Sequence, residues 1–128
     1  MGGHVWLSYD SINGKKLTID SENISFSDTT FTMGTWSKTV TKTYDGLFIN
    51  KEFDFDWKGA YYFKKRITSS QANKMIGTVE ISDTWKYNYT CAAFATDVFK
   101  SATGISFRGV VPPTPQLVIS NMTESYMS

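Results

Sequence analysis

The sequence predicts an α+β fold, an antiparallel β-sheet with a packed helix that carries the chain's cysteine. Three observations lead there. Alternating apolar and polar residues, the period of a half-buried strand, crowd the first half of the chain. Two later stretches repeat apolar residues at helical spacing behind residues that cap helices. Aromatic residues make up 16% of the sequence, and with abundant Thr and Ser they tilt it toward sheet. A length of 128 residues suits one domain, 1–128, with a single core.

The segment "HVWLSYD" sets Val5, Leu7 and Tyr9 on one side and Trp6 and Ser8 on the other, which predicts the first strand. Asn13-Gly14 is a turn signal, and "KLTID" reads as the return strand of a hairpin. Thr and aromatics in "SDTTFTMGTWSKT" predict another strand, interrupted at Gly34, where a strand bulges or a backbone comes close. In "GLFINKEFDFDW", Glu52, Asp54 and Asp56 alternate with Phe53, Phe55 and Trp57. Three acids at strand spacing next to Lys51, Lys58, Lys64 and Lys65 read as a solvated face. "AYYFKKRI" reads as a further strand or an extended segment.

Helices follow. "TSSQANKMIGTVE" opens with a capping box, Thr68 capping and Gln71 reaching back, while Gly77 weakens the last turn. "TCAAFATDVFKSATG" puts Cys91, Phe94, Ala95, Val98 and Ala102 on one face, with Thr90 as N-cap and Gly104 as the stop. Past a proline cluster, Thr114-Pro115 starts one short helix.

Composition excludes several partners. The 13 basic and 12 acidic residues are interspersed for a net charge of +1, so there is no electrostatic footprint for nucleic acid or anionic membrane. No apolar run approaches the roughly 20 residues that cross a bilayer, and no signal-peptide pattern is present, so a soluble chain without stable membrane insertion is expected. A single cysteine makes no internal disulfide, and no Cys/His cluster has metal-ligand spacing; neither a metal nor an organic cofactor is expected.

Chemistry centres on the one cysteine and the one histidine. As the first residue of a helix, Cys91 feels the positive end of the helix dipole and unpaired amide N–H groups, which favour the thiolate, the form that attacks. One of those amides can also face the carbonyl under attack. A cysteine on the apolar stripe of a helix is more often plain core, and a histidine so near the start is often frayed. The pair says more than either member, because a cysteine hydrolase needs an imidazole to take the thiol proton and return it to the leaving group. His4 opens a strand and Cys91 opens a helix, the arrangement of a helix-borne nucleophile against a sheet that presents the base.

With "GHVWLSY" first and "YNYTCAAFATDVFKSATG" late, the chain resembles the circularly permuted papain-like hydrolases related to NlpC-type cell-wall peptidases. Gly3-His4 matches the first element and Cys91 through Ala95 the second. "TFTMGTWSKT" and "GLFINKEFDF" also look like segments of bacterial members, in which Gly-Thr-Trp follows the histidine strand. Thr90 stands where many members have Asn. The resemblance implies a cysteine amidase or endopeptidase with Cys91 as nucleophile and His4 as base, acting on peptidoglycan peptides. It further implies a polar residue that orients the histidine, for which Thr32 and Asp20 are the alternatives, Asp20 being the better charge partner. Similar small domains are bacterial toxins delivered without a signal peptide, for instance by type VI secretion, into the periplasm of a target cell, and restrained by an immunity protein. Lecithin:retinol acyltransferase-like enzymes share the permuted plan, which keeps a lipid acyl hydrolase or acyltransferase open. The non-enzymatic alternative is a β-rich binding domain with Trp36, Trp57, Tyr61 and Tyr62 as contact surface.

Overall fold

Five short strands form among the residues that the computed structural model describes, 3–57, 59–108, 113–119 and 122. Strand β1 (Leu7–Asp10) pairs antiparallel with β4 (Thr30–Trp36), and β4 pairs antiparallel with β5 (Gly46–Ile49). The order β1-β4-β5 makes β4 the central strand, with Leu7 opposite Met33 and Trp36 opposite Gly46.

The expected hairpin between "HVWLSYD" and "KLTID" is not formed. Strand β2 (Leu17–Asp20) instead pairs with β3 (Ser25–Asp28) in a separate two-stranded sheet. The Asn13-Gly14 turn is real but local. Asn13 Oδ1 accepts the Lys15 N–H at 3.0 Å and the Ser11 hydroxyl at 3.1 Å, and Gly14 adopts φ +77°. An Asx-type turn closed this way redirects the chain. It carries Leu17 and Ile19 into the core, where both are buried.

Helix α1 (Lys38–Thr41) is a single turn between β4 and β5. Helix α2 (Ser69–Ile81) begins as the capping box predicts: Thr68 Oγ1 accepts the Gln71 N–H at 3.2 Å, and Gln71 Oε1 accepts the Thr68 N–H at 2.8 Å. It runs through Gly77, since its buried face, Ala72, Met75 and Val79, continues past the glycine. Helix α3 (Cys91–Thr103) ends on Gly104 at φ +77°. Thr90 has the extended backbone of an N-cap, but its side chain makes no capping hydrogen bond. The first amides of α3 are thus left to other acceptors. Thr114 Oγ1 accepts the Leu117 N–H at 3.2 Å ahead of a helical turn over 115–119.

The core joins these elements. Phe94, Ala95, Val98 and Ala102 of α3 pack with Met75 and Val79 of α2 and with Ile19, Phe31, Met33 and Leu47 of the sheets. Each large apolar side chain so buried contributes about 1.5–3 kcal/mol. A smaller cluster forms around Ala92, Phe107 and Val118, and Val5 packs against both clusters. "AYYFKKRI" contains no strand and leaves Tyr61 and Tyr62 exposed. Among the described residues no helix is long and apolar enough to cross a membrane.

Candidate active site

The packing of α3 against the sheet brings its first residue to the segment that precedes β1. His4 does not open a strand, because β1 begins three residues later at Leu7. It is fixed nonetheless: its side chain is only 4% exposed, and the neighbouring Val5 anchors it in both apolar clusters. Cys91 is also buried, and it lies where His4 and the backbone of Val5 and Ala92 act on its thiol and favour the thiolate. Sequence reasoning put these two residues together, and the fold does the same.

The group that orients the imidazole is Glu52, which corrects the expectation for both Thr32 and Asp20. His4 Nε2 donates to Glu52 Oε2 at 2.9 Å, which leaves Nδ1 as the ring nitrogen for Cys91. Thr32 is close but indirect, its hydroxyl donating to Glu52 Oε1 at 2.6 Å. Asp20 is exposed at the end of β2, in the other sheet, where its backbone N–H meets Glu80. The Trp36 indole N–H completes the set, donating to Glu52 Oε2 at 2.8 Å.

Glu52 also overturns the solvated-face reading of the acidic run. Strand β5 ends at Ile49, Asn50 turns the chain at φ +59°, and a 310 turn follows over Lys51–Asp54. Period-two alternation stops there. Glu52 rotates inward to 2% exposure, whereas Asp54 and Asp56 stay exposed as expected, with Asp54 paired to Lys51 at 2.9 Å. The turn is tied to β4, since Asn50 Oδ1 accepts the Thr32 N–H at 2.9 Å and the Asn50 N–H donates to Thr32 O at 3.0 Å. Asn50 is the signal that sequence reading missed, a residue that tolerates left-handed backbone and so marks the end of an alternating run.

Room for this arrangement comes from Gly34, the expected point of close approach. A Cβ there would lie 2.7 Å from Glu52 Oε2 and 3.1 Å from His4 Nε2. Aromatic rings enclose the imidazole: the Trp36 centroid is 3.8 Å away, and Trp6 and Trp57 stack at 5.7 and 5.8 Å. Trp57 is itself held by an indole N–H donated to the Glu52 carbonyl at 2.7 Å. Of the aromatics offered as a contact surface, Trp36 and Trp57 therefore serve the site.

Electrostatics favour charge separation between the two residues. Burial pushes the Cys91 thiol up, but hydrogen bonding and charge from His4, with the amides of Val5 and Ala92, outweigh it and hold the thiol below its ordinary 9.0. Burial likewise works against a charged His4, yet the hydrogen bonds to Cys91 and Glu52 and their charges raise its pKa above 6.5. Both shifts favour a thiolate–imidazolium pair. A pocket of about 390 Å³ opens beside it, walled in part by Trp36, Val40, Trp85 and Pro115. No group of three or more potential metal ligands occurs among the described residues.

Comparison with known proteins finds no matching family model, no matching curated protein and no matching solved structure.

Proposed function

We propose that the chain is a cysteine hydrolase of permuted papain-like, NlpC type that cleaves amide bonds of peptidoglycan peptides. The observation that carries this reading is the chain of contacts Cys91–His4–Glu52 beside an open pocket. A buried core cysteine has no use for an imidazole whose far nitrogen is held by a buried carboxylate. A nucleophile does.

In this mechanism the Cys91 thiolate attacks the amide carbon, and the carbonyl oxygen becomes an oxyanion facing a first-turn amide of α3 that has no intrahelical partner. The imidazolium of His4 gives its proton to the departing amine, leaving a thioester on Cys91. Neutral His4 then takes a proton from water, whose oxygen attacks the thioester, and the carboxylic acid leaves as the Cys91 thiolate and the His4 imidazolium are restored. Glu52 keeps the ring in place throughout and stabilises its charged form. By resemblance, we assign the setting of a delivered antibacterial toxin domain that acts in the periplasm of a target cell and is neutralised by an immunity protein.

The test is mass spectrometry of purified peptidoglycan fragments incubated with wild type, Cys91→Ala and His4→Ala, each checked for folding. New fragments from the wild type alone support the assignment, and their masses name the bond. Intact fragments in all three, with a slowly alkylated wild-type thiol, sink it.

A further inference from the structure

Among the described residues, four polar side chains with buried residues stand out: Thr32, Thr35, Glu52 and Thr96. Three are satisfied. Thr32 donates to Glu52, Glu52 accepts from Thr32, Trp36 and His4, and Thr96 donates to the Ala92 carbonyl at 2.7 Å. Thr35 is 1% exposed, yet its Oγ1 has no hydrogen-bond partner. Burying a hydroxyl unpaired is unfavourable, so an orphan of this kind calls for a function. Its position supplies one, because Thr35 lies in the wall of the pocket that Cys91 and His4 share.

The remaining walls are uncharged but mixed. Apolar or aromatic Trp36, Val40 and Trp85 stand beside hydroxyl-bearing Ser37, Thr90 and Thr114, and no Lys, Arg, Asp or Glu is among the described lining residues. The charges at hand belong to Cys91 and His4, and those are engaged with each other and with Glu52. A carboxylate seated here would lose its water and find no free cation, which is strongly unfavourable. A carboxamide of the same shape loses far less, and a hydroxyl can both donate to and accept from it.

We propose that this pocket is the subsite for an uncharged, amide-bearing residue of the substrate, with Thr35 Oγ1 as its polar anchor. The inference rests on the hydrolase reading of Cys91 and narrows its substrate class to peptides that are neutral beside the scissile bond. Thr35 acts on binding. It is a specificity residue rather than a member of the proton-transfer chain.

The experiment uses Cys91→Ala, which keeps the pocket and cannot turn over. Calorimetry compares two peptidoglycan-stem peptides that differ only in bearing a carboxylate or its carboxamide on the residue next to the scissile amide. The carboxamide peptide is expected to bind about tenfold or more tightly. Adding Thr35→Val should weaken it about fivefold, with Thr35→Ser retaining most of the affinity. Thr35→Val should not lower the melting temperature, because it removes a hydroxyl without a partner. Equal affinity for the two peptides, or a Thr35→Val protein that melts lower and binds unchanged, overturns the subsite; cleavage by the wild type then leaves the hydrolase reading standing. If the peptides neither bind nor are cleaved, the peptidoglycan reading falls and takes the subsite with it.

Discussion

The Glu52 carboxylate receives the His4 Nε2–H at 2.9 Å from a turn 48 residues farther along the chain, and the same oxygen receives the Trp36 indole N–H at 2.8 Å. Glu52→Gln keeps the shape and removes the charge. Hydrolysis should fall on the order of 10²–10⁴-fold, the range seen when an orienting carboxylate is neutralised. The His4 pKa should drop in a histidine NMR titration, since Glu52 is among the groups that raise it. Glu52→Ala should cost about 3 kcal/mol or more in denaturant unfolding, because the buried Trp36 and Thr32 donors lose their acceptor.

Thiol reactivity should report the ion pair. Deprotonation of Cys91 is favoured below its ordinary 9.0, while His4 holds its proton above 6.5. Iodoacetamide alkylation of the wild type should rise with pH at a midpoint under 9.0, and kcat/KM should fall on the alkaline side as His4 loses the proton that the leaving group needs. In His4→Ala, burial acts with less opposition and the alkylation midpoint should move upward. An unchanged midpoint contradicts the pairing.

Gly34→Ala tests the close approach. The added methyl meets Glu52 Oε2 at 2.7 Å and His4 Nε2 at 3.1 Å, so the carboxylate or the ring must shift. Stability should fall by about 1–3 kcal/mol. Activity should drop by at least tenfold, since small misplacements of reacting groups are costly. Thermal melts and peptidoglycan assays separate the two effects.

The two residues first considered as the orienting group should now behave differently. Asp20→Asn, at an exposed strand end, should leave turnover within about twofold of wild type. Thr32→Val should lower it about tenfold through loss of the hydrogen bond that holds Glu52. Reversal of this order in steady-state kinetics would point the imidazole at a different carboxylate.

Thr68→Ala serves as a control remote from the chemistry. It removes the side-chain acceptor of the Gln71 N–H. The expected cost is about 1 kcal/mol, a melting temperature lower by roughly 4 °C, with hydrolysis rates unaltered below the transition.

Elements whose signals are local were legible before the fold was known. The capping box at Thr68, the αL stop at Gly104 and the apolar stripe of α3 all depend on residues within a few positions, and each appears where its pattern implies. The pairing of Cys91 with His4 was legible for another reason, since the chain offers one cysteine and one histidine. What failed was nonlocal or depended on a break in period. Nothing near Asn13-Gly14 announces that β1 takes β4 as its partner. Glu52 was hidden because Glu52, Asp54 and Asp56 look equivalent at period two, and only the 310 turn after Asn50 separates one buried acid from two exposed ones. The third member of the site was missed for want of a single backbone angle.

Because His4, Glu52 and Cys91 come from the head, the middle and the last long helix of the described chain, no single element or short fragment of the sequence contains the site. A nascent polypeptide therefore stays chemically mute until α3 has been synthesised and docked. Closing so long a loop carries an entropic cost that packing by Phe94 and Val98 must offset before the sulfur meets its imidazole. Until then Cys91 is an ordinary thiol. The site is assembled by the completion of folding itself, and a single proteolytic nick between the segments, followed by their separation, would dismantle it.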